Sequence, residues 1–312
     1  MTAYLVTGGA GFIGSNVVDE LLRRGHRVRA LDNLSTGRLE NLAATRKQIE
    51  LFEADICHQE AIRPCFAAVD YVVHLAALPS VPRSVADPLS SNKANIEGTL
   101  NVLLAARDAG VKRVVFASSS AAYGDNPTLP RVESHEPRPL SPYALTKVAG
   151  EYYCQIFTRL YGLEAVALRY FNIFGPRQNP HSQYTGVLSK FITAYIQGTT
   201  PTIFGDGEQS RDFTYIDNVV DATLRACTAP DAAGRVINVG VGGRFTLNQT
   251  IALLNQIFGQ QVTPRYDPPR RGDVLHSQAD ISLARQVLGY EPKVAYEQGL
   301  RKTVEWYRAE LA

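Results

Sequence analysis

The chain has 312 residues, enough for one large domain or two modest ones with a sizeable buried core. Hydrophobic residues make up 45% of it and charged residues 20%, a composition typical of globular proteins. Its 32 basic and 30 acidic residues leave a net charge of +2, which argues against nucleic acid as a partner, because such binding normally needs a concentrated basic face.

The cysteines and the first residues bear on metal content and compartment. The four cysteines form no CxxC pair and the six histidines do not cluster with them, so we expect reduced thiols and no metal site. The first predicted strand begins near residue 3, which leaves no room for a signal peptide, and the apolar runs are too short for a membrane span. We therefore expect a soluble, cytoplasmic protein.

Short apolar runs alternate with amphipathic stretches over the first 120 residues. Strands are predicted at residues 4–6, 27–31, 49–53, 71–75 and 113–117. Helices are predicted at residues 16–24, 58–66 and 94–109. Strands that are buried on both faces read as continuous Val, Ile and Leu runs, and their alternation with helices predicts an α/β fold with a doubly wound parallel sheet.

The pattern changes after about residue 170. Gly, Pro, Asn and Gln crowd residues 172–184, which predicts a long loop, and smaller elements follow with turns at 205–207 and 242–243. We expect a first domain over residues 1–170 and a smaller α/β portion over residues 171–312 that mainly binds substrate. Residues 236–241 read as a strand, so segments near 212–242 are expected to rejoin the first domain.

A glycine-rich turn joins the first predicted strand to the first helix. Gly8, Gly11 and Gly14 have the spacing GxxGxxG, which permits a tight turn and lets a pyrophosphate approach a helix N-terminus. The alternative is a purely structural turn. Asp32 ends the second strand, where a carboxylate can accept hydrogen bonds from both ribose hydroxyls and repel a 2′-phosphate. The pattern therefore predicts NAD rather than NADP.

Asp55 follows the third predicted strand, where it could meet the adenine of a dinucleotide. The alternative is that Asp55 caps the helix predicted over residues 58–66. The sequence leaves both possibilities open.

A second motif begins at Ser141, which is expected to cap a helix with Pro142 as its first residue. Tyr143 and Lys147 then share one face of that helix. A free phenol has a pKa of about 10, and a nearby ammonium would lower it toward the working pH of a general base. The serines at 118–120 end a strand at the carboxyl edge, where ligands bind. A packing role for Tyr143 is the alternative, but the order of the motifs favours catalysis.

These motifs resemble the extended short-chain dehydrogenase/reductase family, and in particular its nucleotide-sugar 4-epimerase branch. The resemblance covers nearly the whole chain and rests on TGGAGFIG (Thr7–Gly14), DNLSTG (Asp32–Gly37), HLAAL (His74–Leu78), SSSAAYGD (Ser118–Asp125), SPYALTK (Ser141–Lys147), RYFNIFGPRQ (Arg169–Gln178), GDGEQSRDF (Gly205–Phe213) and RRGD (Arg270–Asp273). It implies a Rossmann fold, a tightly bound NAD and inversion at C4 of a UDP-sugar through a 4-keto sugar.

The resemblance also implies roles for individual residues. Tyr143 would be the general base, Lys147 its partner and Ser119 the serine that binds the reacting hydroxyl, while Ala121 stands where the family often has Ser or Thr. The residues implied for NAD are Gly8, Gly11, Phe12, Ile13, Gly14, Asp32, Asn33, Asp55, Ile56, Leu75, Tyr143 and Lys147. The residues implied for the UDP-sugar are Ser84, Ser119, Ser120, Tyr143, Asn172, Arg211, Arg270, Asp273 and Ser277. A guanidinium suits a diphosphate, although an isolated arginine is more often a surface residue.

Two features bear on the sugar. The segment Ser120–Ala122 lacks the acidic pair of the related dehydratases, and the run Ser80–Ser84, which the related decarboxylases lack, resembles epimerases of N-acetylated sugars. Ser277 stands at the family position whose size limits the C2 substituent, and a small side chain leaves room for an N-acetyl group. We expect conversion of UDP-N-acetylglucosamine to UDP-N-acetylgalactosamine, with UDP-glucose as a further substrate. The alternatives are a UDP-glucose 4-epimerase without N-acetyl preference, a UDP-glucuronate epimerase, a nucleotide-sugar dehydratase and a non-enzymatic NAD-binding regulator.

The helices predicted near residues 94–109 and 144–161 resemble the pair that forms a four-helix dimer interface in this family. A homodimer is therefore expected. The alternative is that the apolar faces of these helices only cover the sheet.

Overall fold

A computed structural model describes residues 1–180, 186–269 and 274–311. Its strands are β1 (Ala3–Thr7), β2 (Arg27–Asp32), β3 (Glu50–Glu53), β4 (Tyr71–His74), β5 (Arg113–Ser119), β6 (Glu164–Tyr170), β7 (Ile173–Phe174), β8 (Thr202–Phe204), β9 (Ser210–Arg211), β10 (Thr214–Tyr215), β11 (Val236–Val239), β12 (Phe245–Thr246) and β13 (Arg265–Asp267). Its α-helices are α1 (Phe12–Arg23), α2 (Gln59–Ile62), α3 (Val81–Ala86), α4 (Pro88–Asn92), α5 (Gly98–Asp108), α6 (Pro142–Tyr161), α7 (Val187–Ile196), α8 (Ile216–Thr228), α9 (Leu247–Phe258), α10 (Ser282–Leu288) and α11 (Tyr296–Leu311).

Seven strands form one parallel sheet in the order β11-β6-β5-β4-β1-β2-β3. Because the strand order reverses between β1 and β4, their connections leave for opposite faces and open a crevice at the carboxyl edge. The predicted doubly wound parallel sheet is confirmed, and the crevice lies where such folds bind ligands.

The sheet separates two hydrophobic cores. Consecutive side chains of β1 point to opposite faces, so Val6 joins the core shared with α1 and α8, whereas Leu5 joins the core shared with α5 and α6. Burial on both faces explains why these strands read as unbroken apolar runs.

The rest of the described chain is built from smaller pieces. Two-stranded pairs form between β7 and β10, β9 and β12, and β8 and β13, and helices α7, α9 and α11 pack around them. Strand β11 pairs with β6 in the central sheet. The division of the chain at residue 170 stays a prediction.

Several predicted boundaries were wrong. Helix α1 begins at Phe12, directly after its N-cap Gly11, rather than at residue 16. The helix predicted over 58–66 is α-helical only in α2 and continues as a 3₁₀ turn, because Pro64 lacks the N–H that an α-helix needs. The helix predicted from residue 94 begins earlier, at α4, where Asp87 accepts the Ser90 N–H, and a π-helical turn joins α4 to α5.

The long loop predicted over 172–184 contains the short strand β7, and its residues 181–184 lie outside the described part of the chain. No helix within the described ranges is both long and apolar enough to cross a membrane. Within the same ranges, His, Cys, Asp and Glu side chains nowhere gather in threes around a position for a metal ion.

Candidate active site

A cleft of about 1310 Å³ runs along the carboxyl edge of the sheet. One side of the cleft is formed by the glycine-rich turn and the ends of β2 and β4. The other side is formed by the end of β5, the start of α6 and the segment around β9. All the residues implied for NAD line this cleft.

The glycine-rich turn is packed too closely for side chains. Gly8 has φ +70°, and a Cβ at Gly14 would overlap the carbonyl oxygen of Gly8. The Gly8 N–H donates to the Leu31 carbonyl over 2.7 Å, which ties the turn to β2. The first turn of α1 carries no acidic residue, so its free N–H groups present only positive potential to the cleft. This cradle fits a pyrophosphate.

Asp32 is 7% exposed at the end of β2. Its Oδ2 accepts the Ala10 N–H over 3.0 Å and its Oδ1 accepts the Leu34 N–H over 2.8 Å. Burial raises the pKa of Asp32, and these two hydrogen bonds oppose that effect. A Cβ at Gly37 would lie 2.7 Å from Oδ1, so only glycine leaves the carboxylate accessible on that side. The two donors orient the carboxylate toward the cleft, where it fits a ribose diol.

Asp55 does not cap α2. The N-cap of α2 is His58, and Asp55 Oδ1 instead accepts the N–H of Cys57 over 2.8 Å. Its Oδ2 accepts a hydrogen bond of 3.0 Å from Asn33 Nδ2, and Asp55, Asn33 and Ile56 all line the cleft. The capping alternative is therefore wrong.

Helix α6 begins as predicted, with the Ser141 hydroxyl accepting the Ala144 N–H over 3.1 Å and Pro142 as the first helical residue. One turn into the helix, Lys147 Nζ lies 5.8 Å from the centre of the Tyr143 ring. Nζ donates a hydrogen bond of 2.7 Å to the carbonyl of Ala117 on β5. The sheet edge thus holds the ammonium beside the phenol.

Burial and hydrogen bonding both act on the pKa of Tyr143. Burial raises the pKa of Tyr143, and a hydrogen bond with Ser119 lowers it. Burial also lowers the pKa of Lys147 to about 8, with Glu151 opposing. The expectation that Lys147 brings the phenol toward neutrality stays a prediction, since Nζ of the buried Lys147 is directed to the Ala117 carbonyl in this structure.

Four residues implied for the sugar nucleotide line the other side of the cleft: Ser120, Asn172, Arg211 and Ser277. Asn172 has φ +30° and donates from Nδ2 to the Asp212 carbonyl over 3.3 Å. The Arg211 guanidinium donates to the carbonyls of Ser210 and Leu275 over 2.9 and 3.0 Å. The Ser277 N–H donates to the Ser210 carbonyl over 3.0 Å. These main-chain contacts bring β9 and residues 275–277 together as one wall.

Asp212, which sequence reasoning missed, holds that wall from behind. Its carboxylate is fully buried and accepts three backbone N–H groups, from Val241 over 2.9 Å, Gly242 over 3.0 Å and Ala279 over 3.1 Å. The sequence carried a partial signal, since Asp212 follows Arg211 in the motif GDGEQSRDF.

Ser84 is misplaced by the resemblance. It is fully buried and does not line the cleft. Its hydroxyl accepts the N–H of Tyr143 over 3.0 Å and donates to the Val81 carbonyl over 2.8 Å. Its hydrogen-bonding capacity is therefore used to position the start of α6 rather than to contact a sugar. Arg270 and Asp273 lie outside the described residues.

Sequence reasoning also missed five cationic residues that line the cleft: Arg38, Arg83, Lys93, Arg131 and Arg177. Arg177 could have been found, because it belongs to the motif RYFNIFGPRQ. Lys93 and Arg131 stand in no motif, and only the folding of distant segments brings them to the cleft. Arg38 and Arg177 form ion pairs with Glu310 and Asp19. Arg83, Lys93 and Arg131 add positive charge to the cleft, which suits a doubly charged diphosphate.

The comparisons with known proteins agree with this architecture. Residues 4–240 match the model of the NAD dependent epimerase/dehydratase family. A UDP-glucose 4-epimerase of Mycolicibacterium smegmatis is 42% identical over 313 residues, covering 97% of this chain and 98% of that protein.

Two solved structures share the whole fold. The UDP-glucose 4-epimerase of Thermotoga maritima with UDP-glucose is 42% identical, with a TM-score of 0.95 and coverage of 100% of both chains. The UDP-N-acetylglucosamine 4-epimerase of Methanobrevibacter ruminantium in complex with UDP-N-acetylmuramic acid is 40% identical, with a TM-score of 0.95 and coverage of 99% of both chains. NAD is the cofactor of this family, and the cradle around Gly8, Gly14 and Asp32 fits it. The chain therefore belongs to the NAD dependent epimerase/dehydratase family of extended short-chain dehydrogenases/reductases, in its nucleotide-sugar 4-epimerase branch.

Proposed function

We propose that the protein interconverts the C4 epimers of a UDP-sugar, with UDP-N-acetylglucosamine and UDP-N-acetylgalactosamine as the main pair and UDP-glucose as a further substrate. The observation that carries the proposal is the meeting of Ser119, Tyr143 and Lys147 in the same cleft as the glycine-rich turn. The activities named for the similar epimerases from M. smegmatis, T. maritima and M. ruminantium support the same reaction.

In this proposal each residue of the triad has one task. Tyr143 accepts the proton of the C4 hydroxyl and later returns it, and the Ser119 hydroxyl orients the C4 oxygen. Lys147 stabilises the phenolate form of Tyr143 by its charge. NAD, held by the cradle around Gly8, Gly14 and Asp32, would supply reversible hydride acceptance at C4. The proton and the hydride both return, so the reaction consumes no external oxidant.

The residues that line the cleft support one arrangement of substrate and cofactor. Gly8, Gly14 and Asp32 would hold the pyrophosphate and ribose of NAD. Arg211 and Asn172 would hold the UDP-sugar, since both line the opposite wall. In this arrangement the reacting carbon would lie between the two walls and beside Tyr143, so the protein's main contribution would be orientation.

A direct experiment tests the reaction. Purified protein is mixed with UDP-N-acetylglucosamine and no added NAD, and we expect UDP-N-acetylgalactosamine to form, because bound cofactor is regenerated in every cycle. We expect Tyr143→Phe to lower kcat by about 10²–10⁴-fold, the usual contribution of a general base. Tyr152→Phe is the matched control, since Tyr152 lies on the same helix and is 55% exposed.

Other outcomes would favour the rival functions. A requirement for added NADH, or release of an oxidised or dehydrated sugar, would favour an oxidoreductase or dehydratase. NAD binding without turnover of any UDP-sugar would favour a regulator. Unchanged turnover by Tyr143→Phe would contradict the role of Tyr143.

The preference for an N-acetylated sugar rests on Ser277. Its side chain is small, and its backbone is fixed to Ser210 at the cleft wall. We expect Ser277→Tyr to lower kcat/KM for UDP-N-acetylglucosamine by about 10–200-fold, because a bulky ring would fill the space of the C2 substituent. The rate with UDP-glucose should change by less than about threefold, and Ser277→Ala should change neither rate.

Parallel kinetics with both sugars measure this difference. Equal losses with both sugars in Ser277→Tyr would contradict the pocket argument. Equal kcat/KM values of the unmodified enzyme for both sugars would favour an epimerase without N-acetyl preference.

A further inference from the structure

A buried ion pair lies directly behind the proposed catalytic residues. Glu151 on α6 and Arg169 on β6 are 3% and 2% exposed. Arg169 Nε donates to Glu151 Oε1 over 2.8 Å, and its Nη2 donates to Oε2 over 2.7 Å. Because Glu151 follows Lys147 by four residues, it lies on the same helix face one turn further along. The pair therefore adjoins the ammonium that faces Tyr143.

Glu151 also holds the end of β5. The hydroxyl of Ser118 donates to Glu151 Oε1 over 2.5 Å. Ser118 stands between Ala117, whose carbonyl accepts the Lys147 ammonium over 2.7 Å, and Ser119. By holding Ser118, the Glu151 carboxylate fixes the strand end that carries both the Ala117 carbonyl, which binds Lys147, and the Ser119 hydroxyl.

The other charged and titratable neighbours of Lys147 are Tyr143 and His74. The His74 ring is fully buried, and its nitrogens pair with the hydroxyls of Thr7 over 2.7 Å and Thr99 over 3.0 Å. Burial lowers the pKa of His74 to about 3, so this ring is uncharged at neutral pH. Glu151 is then the neighbour whose negative charge favours the protonated form of Lys147.

Arg169 moderates the charge of Glu151. Its guanidinium carbon lies 4.4 Å from the centre of the Tyr123 ring, and its Nη1 is buried without a hydrogen-bond partner. Removing either charge of a buried pair leaves the other uncompensated, so each residue strongly affects the local field.

We propose that the Glu151–Arg169 pair is a positioning unit that fixes the end of β5 and sets how much negative charge reaches Lys147, and hence how firmly Lys147 keeps the charge it presents to Tyr143. The inference rests on the proposed function, in which Tyr143 is the general base. A merely structural pair would hold α6 against β6 without any effect on protonation.

The test uses two variants that break the same bond but remove opposite charges. In Glu151→Gln, Lys147 loses its attractive neighbour and faces Arg169, so we expect the alkaline limb of the kcat profile to move to lower pH by about one unit or more. In Arg169→Met, Glu151 keeps Lys147 as its nearest cation, so the limb should move to higher pH. The double variant should return the limb toward that of the unmodified enzyme.

Three further variants separate charge from packing. Glu151→Asp keeps the charge, so it should lower kcat while leaving the limb in place. Ser118→Ala removes a hydrogen bond without a charge and should do the same. Glu164→Gln is the matched control, because Glu164 pairs with Arg113 at the other end of β5 and β6 and should not move the limb. Should Glu151→Gln fail to fold, the Arg169→Met and Glu151→Asp profiles still decide.

The outcomes distinguish this inference from the proposed function. Absence of epimerase activity in the unmodified protein would overturn the proposed function itself. An active enzyme whose limb stays fixed, or moves in the same direction in Glu151→Gln and Arg169→Met, would overturn the positioning role alone.

Discussion

The two walls of the cleft are built by different means. The wall proposed to hold NAD is made from the glycine-rich turn after β1 and from the ends of the parallel strands β2 and β4, which have six and four residues. Its shape follows from the backbone, since Gly14 packs on Gly8 and the Gly8 N–H bonds to β2. Such a wall needs few specific side chains and is stabilised by the whole sheet.

In the described part of the chain, the strands around β9 in the opposite wall form pairs of two or three residues. There a single buried carboxylate, Asp212, joins backbone groups that are 29 and 67 residues away in the chain. If the proposed sites are right, cofactor binding depends on main-chain geometry, whereas substrate binding depends on side-chain hydrogen bonds between distant segments. A substitution that damages one wall should therefore leave ligand binding by the other wall intact.

The largest effect on ligand binding is expected from Gly14→Ala in the first wall. The added Cβ overlaps the backbone of Gly8, which no side-chain movement can relieve. We expect the variant to lose about 1–3 kcal/mol in its free energy of unfolding and to bind NAD about tenfold or more weakly. The NAD that co-purifies, measured by absorbance after denaturation, checks the prediction.

Gly243→Ala is the matched control for this substitution. Its Cβ would meet nothing closer than 3.6 Å, so NAD content should not change. Full NAD occupancy in Gly14→Ala would show that the turn adapts and that the proposed cradle is not rigid.

A smaller effect on ligand binding, together with a larger loss of stability, is expected from Asp212→Ala in the second wall. Three buried N–H groups would lose their acceptor, so we expect a loss of about 2–4 kcal/mol in the free energy of unfolding and a raised KM for the UDP-sugar with unchanged NAD content. Denaturant unfolding and steady-state kinetics measure these quantities. Asp267→Ala is the control, since Asp267 pairs with the exposed Arg265 and should matter by less than about 1 kcal/mol.

The effect of Asp212→Ala should also depend on pH. Burial raises the pKa of Asp212 from its ordinary value of 3.8 to about 6. A group whose pKa is higher in the folded state contributes stability that is complete below its unfolded pKa and is lost as the pH rises through its folded pKa. The difference in free energy of unfolding between the unmodified protein and Asp212→Ala should therefore shrink as the pH rises from about 4 to about 6. A constant difference over that range would contradict the raised pKa.

The same contrast explains what the sequence could predict. The glycine-rich turn, Asp32 and the Tyr143–Lys147 spacing were predictable, because each depends on a few neighbouring residues at a strand or helix end. The role of Ser84 was not predictable, because its hydroxyl is used by the N–H of Tyr143, 59 residues further along. Nor was the pKa of Lys147, since burial and not spacing decides its direction.

The role of Asp212 could not be predicted from the sequence either. Its sequence position suggests a surface acid beside Arg211, and only the folded chain brings the N–H groups of Val241 and Ala279 to its carboxylate. The boundary of α4 was missed for a local reason, since the predicted apolar pattern starts only after Lys93 whereas the cap at Asp87 starts the helix.

The first part of the chain also has an exposed apolar surface away from the cleft. Exposed apolar side chains lie on α3, α4 and α6 of the NAD-binding part: Val81, Val85, Leu89, Leu145, Tyr152, Ile156, Leu160 and Tyr161. On α6 they follow a helical spacing on the face turned away from the sheet. We propose that a second copy of the chain covers this face, in line with the dimer expected from the sequence, although the exposed residues lie on α3 and α4 rather than on α5.

The smallest effect on catalysis is expected when this outer face is changed. Leu160 is 69% exposed and lies about 25 Å along α6 from Tyr143. Leu160→Glu should therefore turn a dimer into a monomer by size-exclusion chromatography with light scattering, while kcat changes by less than about twofold, because a buried charge disfavours an apolar interface but the cleft of each chain is complete. Leu39→Glu, at an exposed apolar residue outside this face, should leave the dimer intact. A monomeric unmodified protein would remove the proposed partner, and a large loss of kcat in Leu160→Glu would show that the outer face and the catalytic end of α6 are coupled after all.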